Sequence, residues 1–179
     1  MQNTKDHFPN NSFALVQHAY HLISLDKTRA DVVESEKEFN KVIKLIDDDR
    51  QFRGSKGEAF RYRIKFEAIL GIAYIHYLRG SYCKTDQKYR EAERIIEEHF
   101  KHEERYLKSI LHVNWGRNRL DSGNAKMKSK SKEDFEYVLE TYKKTETEEK
   151  ELKDELMEIV ARAHNNLGVY YLCDGILFM

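Results

Sequence analysis

Residues 164–175 read HNNLGVYYLCDG. An apolar-periodic segment carries one glycine at its centre, Gly168, and a second, Gly175, just past its last apolar residue. The same plan occurs twice more upstream: Gly71 with Gly80 around EAILGIAYIHYL, and Gly116 with Gly123 around ILHVNWGRNRL. A glycine inside a helix costs about 1 kcal/mol relative to alanine. Its recurrence at equivalent places predicts a close approach by a neighbouring helix backbone, where a Cβ would clash. The second glycine of each pair stands where a left-handed residue closes a helix.

The segments between these helices agree. Phe39 with Val42, Tyr89 with Ala92 and Phe135 with Val138 each place an aromatic and a smaller apolar residue three apart, on one helical face. The mid-helix glycines are spaced 45 and then 52 residues, so the chain reads as an internal repeat with variable insertions.

These residues carry a resemblance to the tetratricopeptide repeat. The pattern stands as Leu70, Gly71, Tyr74, Gly80, Tyr89 and Ala92. It recurs as Trp115, Gly116, Gly123, Phe135 and Val138, and again as Leu167, Gly168, Tyr171 and Gly175. The second copy departs at Arg119, where the family has tyrosine, and all three copies exceed its usual period. The resemblance covers residues 58–175 well and 12–47 weakly. It implies an all-α fold, an antiparallel helix-pair solenoid of about three and a half pairs, in one domain over 11–179.

Composition supports that class. In 179 residues there is one proline, and charged residues make up 35%. Lys+Arg and Asp+Glu are both 31, so no global field draws the chain to nucleic acid or an acidic membrane. No run approaches the length of a spanning helix, and the first twelve residues are not a signal peptide. Cys83 and Cys173 make neither a disulfide framework nor a four-ligand zinc site, and a reducing, cytoplasmic setting is expected.

Residues 1–10 are expected to be disordered, followed by seven helices. Asn11 or Ser12 caps the first, ending near Leu25. Thr28 with Asp31, Ser55 with Glu58, Ser131 with Asp134 and Thr145 with Glu148 read as capping boxes opening four others. The remaining two are expected at about Thr85–Phe100 and Glu103–Asp121. The stretch around Gly54 and Gly57 reads as a loop, and 122–130 as the longest flexible connection. The ending GILFM is a poor solenoid cap. It is expected to continue into a longer protein or to be covered by another subunit, as in a homo-oligomer.

No catalytic constellation emerges, and the chain reads as a non-enzyme with no cofactor. His18 with His21 and His99 with His102 have a spacing that can share a metal, but no third ligand lies near in sequence, so no metal site is assigned. Cys83 reads as a small side chain at a helix contact. Lys126, Lys128, Lys130 and Lys132 form a comb that could meet phosphates; without aromatics for stacking it reads as a soluble loop, and nucleic acid is an unlikely partner.

The resemblance implies a concave groove lined by the first helix of each pair. Its positions are Lys65, Ala68, Ile69, Ile72, Ile75 and His76; then Ile110, Val113, Asn114, Arg117, Leu120 and Asp121; then Arg162, Asn165, Asn166, Val169, Leu172 and Cys173. The candidate partner-binding residues are Lys65, His76, Asn114, Arg117, Arg162, Asn165 and Asn166. The amides can pair with a peptide backbone and the cations suit an acidic peptide. The carboxylate clamp of chaperone-binding relatives is not expected, since Ala68 and Ile72 stand where its lysine and asparagine belong. The expected function is a scaffold that binds a peptide or partner helix. The alternative is a sensor domain that switches on peptide binding and controls an effector elsewhere. Whether residues 12–25 fill the groove stays open.

Overall fold

The computed structural model describes residues 11–25, 29–48, 55–145 and 150–173. They form seven helices: α1 (Ser12–Leu25), α2 (Arg29–Asp48), α3 (Ser55–Leu78), α4 (Tyr82–His99), α5 (Glu104–Asp121), α6 (Ala125–Thr145) and α7 (Lys150–Cys173). The protein is thus all-α, and the helices pack mainly on their sequence neighbours. They group into two compact units, Met1–His99 and Phe100–Met179.

In the first unit α1 packs on α2 and α3, α2 on α3, and α3 on α4. Leu15, Val16, Ala19 and Ile23 of α1 form one core with Val32, Phe39, Val42 and Ile46 of α2 and Ile64, Ala68, Ile72 and Ile75 of α3. The spacings of three, four and seven put each set on one helical stripe. This corrects one expectation. Ala68, Ile69, Ile72 and Ile75 are buried rather than lining an open groove, and three of them share their core with α1. The apolar character that suits a groove suits a first helix equally well.

In the second unit α5 packs on α6 and α7, and α6 on α7. Val113, Leu120, Phe135, Val138, Leu156, Ile159, Ala163 and Leu167 make its core. The aromatic pairs read from the sequence are all buried: Phe39 with Val42, Tyr89 with Ala92, and Phe135 with Val138.

The glycines divide by job. Gly80 (φ +68°) and Gly123 (φ +67°) are left-handed stops. Gly80 closes α3 with Ser81 N donating to His76 O at 2.8 Å and its own N–H donating to Tyr77 O at 2.9 Å. Gly71 and Gly116 make room, but for a ring rather than a backbone. A Cβ on Gly71 would sit 2.2 Å from the Phe39 ring, and one on Gly116 would sit 2.5 Å from the Phe135 ring. Phe39 comes from the helix before its glycine and Phe135 from the helix after, so the two contacts are not equivalent along the chain. At Gly168 an added Cβ meets nothing within 4 Å among the described residues. Gly57 lies in the first turn of α3, not in a loop.

Several helix starts also differ from expectation. Asn11 caps α1 as expected, its Oδ1 accepting from Ala14 N at 3.1 Å. The α5–α6 connection is short. Asn124 Oδ1 accepts from Lys126 N at 3.0 Å and Met127 N at 3.1 Å, so α6 opens there and not at Ser131. Ser131 is mid-helix and buried, its hydroxyl donating to Lys128 O at 2.6 Å. Thr145 ends α6 rather than opening α7, and its hydroxyl donates back to Thr141 O at 2.8 Å. Thr85 is not a helix start either: α4 begins at Tyr82, and buried Thr85 donates to Ser81 O at 3.3 Å. Thr28, Glu148, Gly175 and the GILFM ending lie outside the described residues.

Asp134, read from sequence as a capping residue, is instead a buried ion-pair partner. Arg119 Nη1 donates to both its carboxylate oxygens, at 2.7 and 2.6 Å. The Arg119 guanidinium lies 4.0 Å from the Trp115 ring centroid. His112 Nδ1 is 2.9 Å from Asp134 Oδ1, and its ring packs 4.3 Å from that of Tyr137. The arginine that departs from the family's tyrosine therefore joins α5 to α6. Breaking a buried pair strands a charge, so Asp134→Ala is expected to cost about 3–5 kcal/mol. In the Arg119→Met, Asp134→Leu double variant, urea unfolding should recover most of that loss. Urea unfolding also separates the glycines. Gly71→Ala and Gly116→Ala are expected to lose about 1–3 kcal/mol by overpacking a ring. Gly168→Ala should gain up to about 1 kcal/mol through helix propensity.

Candidate functional site

The positions that the resemblance assigned to a groove divide: Val113, Leu120 and Asn166 are buried, as are Ala68, Ile69, Ile72 and Ile75, while others border a cleft in the second unit. Five of the seven candidates line one open cleft between α5 and α7, of about 520 Å³: Asn114, Arg117, Arg162, Asn165 and Asn166. Its size falls within the range of natural ligand sites, about 300–1,000 Å³. Two hydrogen bonds cross it. Arg162 Nη2 of α7 donates to Asn114 Oδ1 of α5 at 2.7 Å. Arg117 Nη1 of α5 donates to Asn166 Oδ1 of α7 at 3.4 Å. Arg117 Nε also donates to Asp121 Oδ2, one turn along α5, at 2.7 Å.

The cleft floor is built by the same helices that build the core. Val113 and Leu120 of α5 point inward and are buried, which turns Asn114, Arg117 and Asp121 toward the cleft edge. On α7, Ala163 and Leu167 are buried while Arg162 and Asn165 are exposed. The Arg162 guanidinium donates to a neutral amide. Glu158 and Ala161 complete the lining and were missed by the sequence reading. Their signal was present: 158, 161, 162 and 165 share one helical face by the three-and-four rule.

Lys65 and His76 lie in the first unit and are occupied otherwise. Lys65 Nζ donates to Asp47 Oδ1 at 2.8 Å, tying α3 to α2. His76 sits near the end of α3, beside the Arg79–Glu36 pair (2.6 Å). Burial pulls the His76 imidazole below its usual range, against the pull of the Glu36 carboxylate, with Lys84, Arg79 and Lys88 adding to the lowering. Neither lines the α5–α7 cleft.

The lysine comb is helical, not a loop. At 100° per residue, Lys128 and Lys132 fall on one flank of α6 and Lys126 and Lys130 on another. Lys128 Nζ lies 5.5 Å from the Tyr170 ring centroid and Lys132 Nζ 5.8 Å from that of Tyr171. These contacts tie the start of α6 to the end of α7. Lys132 titrates above its usual range because Glu136 and Tyr171 stand beside it.

Among the described residues, no three His, Cys, Asp or Glu side chains converge as metal ligands. His99 instead stacks on Tyr62, with centroids 3.3 Å apart. Cys83 is exposed rather than packed at a helix contact; the buried small side chain in that turn is Thr85. No helix among the described residues is long and apolar enough to cross a membrane.

The lowered His76 has a consequence for stability. As pH falls through its ordinary value of 6.5, the unfolded chain takes up the proton before the folded one does. His76 therefore favours folding above that pH, and its contribution is lost as pH falls through the folded-state value. His76→Gln should flatten the acid side of the stability profile below about pH 6.5, measured by urea midpoints across a pH series.

No family model, no curated protein and no solved structure matches this chain.

Proposed function

We propose that the chain is a non-enzymatic interaction module, related in plan to tetratricopeptide repeats, whose α5–α7 cleft binds an extended peptide segment of acidic character. The single observation that carries this reading is the pair of crossed Arg–Asn hydrogen bonds over an open cleft, Arg162–Asn114 and Arg117–Asn166. Both are bonds that a peptide can replace in kind. A peptide carbonyl or carboxylate accepts from the guanidinium, while the released amides pair with backbone N–H and C=O. Exchanging a guanidinium–amide bond for a guanidinium–carboxylate pair, in which both partners are ionised, favours a carboxylate in that place. Glu158 at the cleft wall disfavours a ligand acidic throughout, so a single acidic side chain within an otherwise neutral segment fits best.

The test is selection from a random-peptide display library on the immobilised protein, followed by fluorescence anisotropy of the enriched peptides. Enriched sequences are expected to carry Asp or Glu. Arg162→Ala should weaken them about tenfold, a change of about 1.4 kcal/mol. Arg162 is exposed, so the unfolding midpoint should stay near that of the parent. Peptides that bind equally well to Arg162→Ala and to Asn114→Ala would remove the cleft from consideration.

A further inference from the structure

Two features of the sequence stand apart from the cleft: the lysine comb at 126–132 and the apolar residues after α7. The topology brings them to one end of the second unit. Along α5 and α6, Arg119 meets Asp134 and His112 meets Tyr137, so these helices run antiparallel. Along α6 and α7, Lys128 lies by Tyr170 and Lys153 by Tyr142, so these do too. The end of α5, the start of α6 and the end of α7 therefore lie together.

Between Asp121 and Glu133 the chain carries four lysines and no acid. The zero net charge of the whole chain hides this local field. Lys132 is answered by Glu136 at 3.6 Å. Lys126 and Lys130 are exposed, and among the described residues neither makes an ion pair with a carboxylate. The arrangement opposes folding. Lys126 with Lys130 and Lys128 with Lys132 are like charges four apart, which destabilise a helix. All four stand in the first turns of α6, where the helix dipole disfavours cations. An anion that meets this surface relieves both costs.

Apolar groups border the same end. Leu172 is 52% exposed, and Met127, Tyr170 and Tyr171 are half-buried. From Cys173 the chain continues to Ile176, Leu177, Phe178 and Met179. Three residues span at most about 11 Å, so this run begins within that distance of α7.

We infer that this end of the second unit docks on an anionic phospholipid surface, with the lysines on the headgroups and Leu172 and the apolar run beyond it toward the acyl chains. The geometry selects this class. At 100° per residue, the Lys126 and Lys130 flank lies about 160° around α6 from the Lys128 and Lys132 flank. A ligand lying along α6 reaches one flank, whereas a plane meeting the helix end reaches both. The four lysines are spread over about 9 Å of the axis, a span that their flexible stems cover. A nucleic acid would accept the charge and leave Leu172 in water. A neutral apolar partner would leave the lysines unanswered. An acidic bilayer answers both, since it attracts polybasic segments and buries aliphatic side chains below its headgroups.

The test is co-sedimentation of the full chain with vesicles of phosphatidylcholine alone and of phosphatidylcholine mixed with phosphatidylserine. The mixed vesicles are expected to bind at least about tenfold more tightly, the difference shrinking as salt is added. At about fivefold per lysine, Lys126→Gln with Lys130→Gln should weaken mixed-vesicle binding about 25-fold. That double variant removes a repulsion, so its urea midpoint should equal or exceed the parent's and unfolding cannot account for the loss. Leu177→Ser with Phe178→Ser should weaken binding at least about tenfold while keeping the salt dependence. A thymidine oligonucleotide at equal phosphate concentration should leave the chain on the mixed vesicles. Equal binding to both vesicle types, unchanged binding in either double variant, or release of the chain by the oligonucleotide would overturn the inference.

Discussion

A phenyl ring seated on a helix backbone is the contact on which both units depend. Phe39 lies over Gly71 and Phe135 over Gly116, each closer than any Cβ would allow. Each ring is fully buried, and each belongs to the main core of its unit. In the first unit the ring also receives the edge of Tyr20, so one phenylalanine holds α1, α2 and α3 at once. Interiors are close-packed, so the missing Cβ sets the distance between helices. The cost of glycine within the helix is offset by the ring it admits.

The same close approach places the candidate sites. With Phe135 on Gly116, α5 is fixed against α6, and the next residue, Arg117, stands at the opening toward α7. The Arg119–Asp134 pair, one turn along the same face of α5, locks that register as well. A buried ion pair adds little net stability and penalises every register that separates its members. In the first unit, α1 uses one face to fill the core through Leu15 and Ala19. It leaves Phe13 and Tyr20 to border a cavity opposite Phe60 and Glu67.

Seven helices, the stops at Gly80 and Gly123, the Asn11 cap and the three aromatic faces were legible in the residues. Each depends on local chemistry, which periodicity and backbone conformation report directly. Asn114, Arg117, Arg162, Asn165 and Asn166, groove positions that the resemblance implied, border one cleft. What misled was context. Ser131 and Asp134 have the spelling of a cap, but Asn124 upstream offers a better one and the lysine–serine run between them is helical. The apolar positions after Lys65 have the spelling of a groove, but α1 is apolar at matching spacing and occupies them.

Sequence alone determined that the chain is built of helices, that Gly80 and Gly123 end two of them and that the three aromatic pairs face inward, because those properties are decided within a few turns of one chain. Tertiary structure alone decided which helix supplies the ring to each glycine, that Asp134 answers Arg119, and that Tyr170 and Tyr171 meet Lys128 and Lys132. It also decided that the apolar positions of α3 assigned to the groove are core, and that a cleft opens between α5 and α7. Those outcomes rest on contacts between residues far apart in the chain, where several partners satisfy the same pattern and packing selects one.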